Sequence, residues 1–283
     1  MASFTNFATL SYNGGTTNSN IVTGEILEAL TAVKTAVSAN YSAGDRITYA
    51  LSLVNTGIAA ITDYTVTDNL GGYTVGANTV YPLAYNAGTV RYYINGVLQT
   101  APTVTAGPPL TVTGLTVPAG GNAVLIYETT ATPVAPLATG SSITNTATIT
   151  GGGLTNPITA QATVETANSA DLTISKALSP TTVTENGQIT YTFVISNTGN
   201  TEATAADNVV VTDTFDPILR NIAVTYNGTA WTDGTNYTYN AATGVFTTLA
   251  GQITVPAATF TQNTDGTFTV TPGTATLVIT GTV

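Results

Sequence analysis

The amino-acid sequence predicts an all-β protein that contains two copies of one domain in tandem. Hydrophobic residues make up 43% of the 283 residues and charged residues only 7%, which is enough apolar material to build cores. Val, Ile, Thr and Tyr are frequent, and these side chains fit pleated, half-buried strands. Gly, Asn and Pro interrupt them at short intervals, as they do between the strands of all-β domains. The length allows two domains of ordinary size.

Charge and missing residue types exclude several classes of function. The formal charge is −10 with only five basic residues, so we predict no nucleic-acid partner and no anionic membrane, because both need Lys and Arg. No run of apolar residues is long enough for a membrane-spanning helix. Cys and His are absent, which removes disulfides, Ser-His-Asp and Cys-His catalysis and nearly all zinc sites. We therefore expect no cofactor, no metal and no turnover enzyme.

An internal repeat defines the two domains. The segment "LTAVKTAVSANYSAGDRITYALSLVNTG" (30–57) returns 142 residues later as "LTISKALSPTTVTENGQITYTFVISNTG" (172–199). Then "YTVTDNL" (64–70) corresponds to "VVVTDTF" (209–215) with an offset of 145 residues, so the second copy has gained three residues in a loop. Such self-similarity indicates a repeated structural unit.

The two copies do not contain the same set of segments. After "TVPAGGNAVLIYETTAT" (116–132) the first copy continues into "SITNTATITGGG" (142–153), whereas the matching "TVTPGTATLVITGTV" (269–283) is the last segment printed. The segment that is missing there has a counterpart at the N-terminus, where "SFTNFATLSYNG" (3–14) agrees with 142–153 at six of twelve positions.

This order predicts three regions: an N-terminal donor segment at 1–26, a complete sandwich at 27–168, and a sandwich without its last strand at 169–283. Sheet proteins avoid open edges, so we expect the N-terminus of a second molecule to complete the last domain. Each molecule then gives one strand and receives one, which builds a head-to-tail homopolymer. The alternative is a fragment of a longer repeat array with arbitrary ends.

Strand alternation places a Lys and an Asp on the apolar face of each copy, and an Asn on the apolar face of the first copy and of the donor segment. In chain order these residues are Asn6, Lys34, Asp68, Asn145, Lys176 and Asp213. The second copy has no Asn of its own, and Asn6 of the donor segment aligns with Asn145. Phe4, Ala8 and Leu10 share the face of Asn6 and are the predicted core contacts of the donor strand.

Burial of these three residue types predicts covalent chemistry. Burial favours a neutral Lys amine and a protonated Asp. Attack of the amine on the Asn carboxamide, with loss of ammonia, gives an isopeptide bond, and the Asp serves as acid and base. We predict an intramolecular bond from Lys34 to Asn145 promoted by Asp68, and an intermolecular bond from Lys176 to Asn6 promoted by Asp213. Two other interpretations remain open: a buried hydrogen-bonded cluster without a bond, and Lys side chains that reach the sheet edge.

The segments "ADLTISKALSPTTVTENGQITYTFVISNTGN", "VVVTDTF" and "ITNTATITG" resemble the bacterial surface repeat called domain of unknown function eleven. This resemblance implies an immunoglobulin-like β-sandwich used as a structural repeat on cell surfaces. The Lys, Asp and Asn arrangement is also similar to that of Gram-positive pilin and collagen-adhesin domains, which implies the same roles for Lys34, Asp68 and Asn145. The second copy departs from that pattern because it lacks its own Asn. Size and repeat number further resemble the major proteins of clostridial spore appendages.

We expect a structural subunit that assembles with itself into a cross-linked fibre on the extracellular or spore surface. No signal peptide is visible in the first residues, so release by mother-cell lysis is the expected route. The sequence identifies no anchoring protein or glycan. The alternative is an adhesin or carbohydrate-binding stalk, a domain pair excised from a larger surface protein. Trp231 is then either part of a sugar-stacking surface or packed in a hairpin.

Overall fold

A computed structural model describes residues 2–26 and 29–283. Apart from one 3₁₀ turn, η1 (Ala205–Asp207), every regular element in these ranges is a β-strand. None of the described elements is a helix of the length and hydropathy that crossing a membrane requires. The chain forms two compact units, namely Met1–Ala135 with Ser142–Glu165, and Pro136–Ser141 with Thr166–Val283.

The N-terminal hairpin, residues 2–26, has four short strands: β1 (Ala2–Asn6), β2 (Thr9–Tyr12), β3 (Gly15–Asn18) and β4 (Val22–Ile26). β1 pairs with β4, and β2 pairs with β3, both antiparallel. Asn13 and Gly14 between β2 and β3 have φ of 37° and 82°, as a tight two-residue hairpin turn requires.

The strand expected to run without a break from Phe4 to Leu10 is divided between β1 and β2. From the Asn6–Val22 pair to the Thr9–Asn18 pair, the second side of the hairpin contains one residue more than the first. An extra residue interrupts a ladder and bends it. Ala8 therefore lies between the strands, where its N–H donates to Ser19 Oγ at 2.9 Å.

The first sandwich follows the N-terminal hairpin. Its strands are β5 (Leu30–Ala36), β6 (Asn40–Tyr41), β7 (Arg46–Asn55), β8 (Ile61–Asp68), β9 (Tyr73–Val75), β10 (Asn78–Val80), β11 (Leu83–Tyr85), β12 (Arg91–Ile94), β13 (Val97–Leu98), β14 (Thr103–Thr105), β15 (Leu110–Val117), β16 (Asn122–Ala131), β17 (Ser142–Gly151) and β18 (Ile158–Thr166). One sheet has the order β13-β12-β16-β7-β5, with β11 also paired to β16. The facing sheet has the order β14-β15-β8-β17-β18-β6, and β9 and β10 form a separate pair.

The second sandwich is built from the strands that follow β18. Its strands are β19 (Leu172–Ser179), β20 (Gln188–Asn197), β21 (Thr212–Thr214), β22 (Arg220–Tyr226), β23 (Thr229–Trp231), β24 (Tyr237–Asn240), β25 (Val245–Thr248), β26 (Thr259–Gln262), β27 (Phe268–Thr271) and β28 (Gly273–Thr282). One sheet has the order β19-β20-β28-β22-β23, and a smaller sheet has the order β21-β25-β24. The predicted all-β class with two immunoglobulin-like sandwiches in tandem is confirmed.

Alternating side chains fill the two cores. Along β7, Ile47, Tyr49, Leu51 and Leu53 are fully buried, and the residues between them are more exposed. This is the period of two that a strand with one buried face requires. The second core is built in the same way and centres on large residues such as Phe193, Phe215, Phe246, Leu277 and Ile279.

The two sandwiches differ at one edge. In the first unit β8 pairs with β15 on one side and with β17 on the other. In the second unit β21 carries the residues that match the end of β8. Among the described residues β21 pairs with β25 alone. The smaller sheet therefore has an open edge where the first unit has β17 and β18.

Candidate functional site

Lys34 and Asp68 form an ion pair in the core of the first sandwich. Lys34 lies on β5 opposite Leu51, and Asp68 ends β8 in the facing sheet. The Lys34 Nζ is 2.5 Å from Asp68 Oδ2, and the two side chains are 0% and 1% exposed. The pair thus joins the two sheets in a water-free environment, where an unpaired charge would cost several kcal/mol.

Two tyrosines and a backbone amide complete the surroundings of the pair. The Tyr127 hydroxyl donates to Asp68 Oδ2, and the Leu70 N–H donates to Oδ1 at 2.9 Å. The rings of Tyr49 and Tyr127 stack with centroids 5.8 Å apart, and Lys34 Nζ lies 4.8 Å from the Tyr49 centroid. Both carboxylate oxygens are therefore satisfied, and aromatic rings line the amine.

Asn145 lies on β17, the strand that pairs with the end of β8. Ala147 is opposite Asp68 in this ladder, so Asn145, two residues earlier, points to the same face as Ala147. Its side chain is 0% exposed, and neither amide atom has a hydrogen-bond partner in the described part of the chain. The amide is near the hydroxyls of Tyr49 and Tyr127 without reaching hydrogen-bond geometry, and it offsets part of the rise in their pKa values. A buried amide without partners is rare and costly.

Burial controls the protonation of this site. It lowers the pKa of Lys34 to about 8, although the charge of Asp68 and its hydrogen bond act in the opposite direction. Burial also raises the pKa values of Tyr49 and Tyr127, and the nearby Asp68 charge adds to both shifts. Lys34 is therefore far closer to its neutral, nucleophilic form than an exposed lysine is, while both tyrosines stay protonated.

The second sandwich repeats the ion pair in an open setting. Lys176 Nζ is 2.5 Å from Asp213 Oδ2, but their side chains are 40% and 18% exposed. The rings of Tyr191 and Phe215 approach the amine, with centroids 4.5 and 5.5 Å from Nζ. The core-face position predicted for Lys176 therefore does not bury its side chain within one chain. It points inward, but the open edge beside β21 leaves it uncovered.

The Tyr127 hydroxyl, which donates to Asp68, has no counterpart in the second unit. Tyr127 is opposite Tyr49 in the first sandwich, and the equivalent position opposite Tyr191 is Ile279. Asp213 Oδ1 accepts the Thr214 N–H at 2.9 Å. Sequence reasoning missed Tyr49 and Tyr127, although alternation within "RITYALSL" and "AVLIYETT" would have placed both on the core face.

The predicted donor residues are exposed in the N-terminal hairpin. Phe4 and Leu10 are 53% and 63% exposed, and Asn6 and Ala8 are exposed as well. The structure thus groups Lys34, Asp68 and Asn145 in one site and Lys176 with Asp213 in another, and it leaves Asn6 on the hairpin.

The N-terminal hairpin repeats the pairing of β17 with β18. In the ladder of β1 with β4, Ser3 is opposite Glu25, Thr5 is opposite Thr23, and Asn6 is opposite Val22. In the ladder of β17 with β18, Ser142 is opposite Glu165, Thr144 is opposite Thr163, and Asn145 is opposite Ala162. The Ser–Glu and Thr–Thr pairs are identical, and the Asn occupies the same place after them. β4 (Val22–Ile26) lies in "NSNIVTGEI" (18–26), the segment that the sequence indicates as the second strand of a terminal hairpin in the donor region 1–26.

Trp231 packs inside its own unit. Its ring stacks on Tyr226 of the adjacent strand with centroids 4.8 Å apart, which confirms the interpretation as hairpin packing over a sugar-stacking surface.

No family model matches the chain, and a search of curated proteins finds no match. Solved structures are similar at low identity. The major pilin subunit of Bacillus cereus is 14% identical over 96% of this chain and 73% of its own, with a TM-score of 0.35. A C-terminal fragment of the major pilin of Streptococcus agalactiae is 13% identical over 81% of this chain and 79% of its own, with a TM-score of 0.36.

The N-terminal domain of a Streptococcus gordonii adhesin is 14% identical over 48% of this chain, with a TM-score of 0.36. This chain covers 32% of that adhesin structure. At these identities and TM-scores the similarities carry no conclusion about function.

Proposed function

We propose that this protein is a structural subunit that polymerises head-to-tail. Each molecule inserts its N-terminal hairpin beside β21 of the next molecule, and isopeptide bonds lock both the subunit and the joint. The observation that carries the proposal is the match between the hairpin and β17 with β18, together with the open edge beside β21. The resemblance to surface repeats and spore appendages makes an extracellular or spore surface the proposed location.

The acceptor side has the apolar surface that such a joint needs. On β19, Ile174 and Leu178 point to the same face as Lys176 and are 55% and 38% exposed. The equivalent residues of β5 in the first unit, Ala32 and Ala36, are half-buried, and Lys34 between them is buried. An inserted hairpin would cover this face, as β17 and β18 complete the first sandwich.

The donor side is ordered before it binds. Fixing a residue of a disordered segment costs about 1–2 kcal/mol, but the strands of the N-terminal hairpin are already paired. Burial of Phe4 and Leu10 stabilises the joint by roughly 1.5–3 kcal/mol each. Large exposed apolar groups on a monomer typically mark an interaction surface. Docking of a preformed hairpin is therefore favourable before any covalent step.

The covalent step uses the same atoms in both units. The neutral amine of Lys34 attacks Cγ of Asn145, a new C–N bond forms, the bond from Cγ to Nδ2 breaks, and ammonia leaves. Asp68 accepts the proton of the amine and delivers it to the departing nitrogen. In the joint, Lys176, Asp213 and the neighbour's Asn6 take the three roles, because Ala8 would stand opposite Asp213 as Ala147 stands opposite Asp68.

Electron microscopy of negatively stained protein tests the assembly. The wild-type chain is expected to form filaments. The double variant Phe4→Ser/Leu10→Ser should stay monomeric while both sandwiches keep their thermal transitions, because these side chains are exposed in the free subunit. Phe7→Ser is the matched control, since Phe7 directly follows Asn6 and strand alternation therefore puts it on the opposite face. Unchanged filaments from the Phe4→Ser/Leu10→Ser variant would contradict strand donation.

A further inference from the structure

A large cavity opens on the second sandwich near the Lys176–Asp213 pair. Its volume is about 670 Å³. Its apolar wall includes Leu178, Val183, Ile189, Tyr191 and Pro217, and the charged residues of its lining are Glu185, Asp216 and Arg220. Ile189 is buried, whereas Leu178 and Val183 are 38% and 39% exposed. A cavity of this size that is open to solvent and has an apolar wall is typical of a site that a partner group occupies.

The equivalent position in the first sandwich is filled by Ile143. Asp216 in the cavity lining corresponds to Gly71, since their copies are offset by 145 residues. A Cβ added to Gly71 would lie 2.6 Å from Cγ2 of Ile143, so the Ile143 side chain rests directly on this turn. Ile143 is 2% exposed. The first unit thus shows which strand position fills the space that is open in the second.

A backbone hydrogen bond of β18, the partner strand of β17, supports the same correspondence between the two units. The Glu165 N–H donates to the Ala39 carbonyl at 2.9 Å. By the repeat offset Ala39 corresponds to Thr181, and Thr181 lines the cavity. By the hairpin match Glu165 corresponds to Glu25. Both strands of an inserted hairpin would therefore border the cavity.

The hairpin residue that corresponds to Ile143 is Phe4. Ile143 is opposite Val164 in its ladder, and Phe4 is opposite Gly24. Any Cβ at Gly24 would collide with the Phe4 ring, so the glycine makes room for the larger side chain. The N-terminal hairpin thus pairs the large Phe4 with Gly24 at the position where the first sandwich pairs Ile143 with Val164.

We propose that this cavity is the anchor pocket for the Phe4 ring of the neighbouring molecule, and that it fixes the register of the inserted hairpin. The inference rests on the strand donation proposed above and adds the site at which one donor side chain, Phe4, binds. With Phe4 in the pocket, Asn6, two residues along the same face, lies at the level of Lys176 and Asp213. A slip by one residue would turn Asn6 away from the amine.

Photo-crosslinking in the full chain tests the pocket. p-Benzoylphenylalanine at position 4 should, after assembly and irradiation, form adducts with Leu178, Val183 or Ile189 of the neighbouring molecule. The same group at position 7, on the opposite face of the hairpin, should not label these residues. Filaments whose position-4 adducts map elsewhere would overturn the pocket but leave donation standing. Absence of filaments and of intermolecular adducts in both variants would overturn donation and the pocket together.

Discussion

The two sandwiches hold the same ion pair in two different environments. Lys34 with Asp68 and Lys176 with Asp213 are both 2.5 Å apart, but the first lysine is 0% exposed and the second is 40% exposed. The ion pair therefore does not need the last strands in order to form. In the first unit, β17 and β18 cover the ion pair from solvent. β17 also contributes the Asn145 amide, which has no hydrogen-bond partner among the described residues. The second unit has the ion pair but, among the described residues, no strand beside β21 at the position that β17 has beside β8.

The largest expected effect comes from Asp68→Ala compared with Asp213→Ala. Asp68→Ala should prevent the Lys34–Asn145 bond, which closes a loop of 111 residues. If the bond acts like a disulfide of that span, its loss lowers the free energy of unfolding by about 4–5 kcal/mol. Asp213→Ala in a monomeric preparation should cost less than about 1 kcal/mol, because its ion pair is partly exposed.

Intact-mass spectrometry and calorimetry check this contrast. Wild-type monomer should be lighter than its calculated mass by one ammonia, and so should Asp213→Ala, whereas Asp68→Ala should have its full mass. Wild-type monomer without ammonia loss would contradict the bond and would leave a buried polar cluster as the interpretation.

A pH dependence is expected where Lys34 is free. In Asn145→Ala the amine keeps its folded pKa of about 8, below the ordinary value of 10.5. Between these values the unfolded chain binds the proton and the folded chain does not, so the free energy of unfolding rises with pH. The gain should reach roughly 2–3 kcal/mol by pH 10. At higher pH, Tyr49 and Tyr127 oppose it, because their folded pKa values are raised and the unfolded chain loses their protons first.

Urea unfolding at pH 7 to 10 measures this slope. Asn145→Ala/Lys34→Met is the control and should lack the rise. The wild type should also lack it, because the proposed bond would convert its Lys34 nitrogen to an amide. A rise of equal size in the Lys34→Met variant would show that other groups cause it.

A smaller effect separates the two tyrosines of the first site. Tyr127→Phe removes the hydroxyl that donates to Asp68, so we expect a loss of about 1.5–3 kcal/mol in the free energy of unfolding. This change makes the first site resemble the second, which has Ile279 at the equivalent position. Tyr49→Phe should be neutral or stabilising, since the Tyr49 hydroxyl is buried without a hydrogen-bond partner among the described residues. Thermal unfolding of both variants side by side checks the prediction, and equal losses would contradict it.

Strand alternation and the repeat were enough to predict the fold and the inward direction of Lys34, Asp68 and Asn145. Direction alone could not predict the exposure of Lys176, because exposure depends on which strands the facing sheet contributes. The contact of Tyr127 with Asp68 was also out of reach, since it depends on the stagger between two sheets. The break at Ala8 arises from one extra residue in the partner strand. The sequence of the first strand alone therefore could not predict it.

Tandem mass spectrometry of digested fibres tests the central claim most directly. The expected result is a branched peptide in which Lys176 of one molecule is joined to Asn6 of the next with loss of ammonia, and fibres that run as a ladder in hot detergent. Asn6→Ala should still form filaments but should run as monomer on a denaturing gel. Wild-type fibres that dissolve to monomers in hot detergent, with Lys176 found only in linear peptides, would contradict the covalent joint.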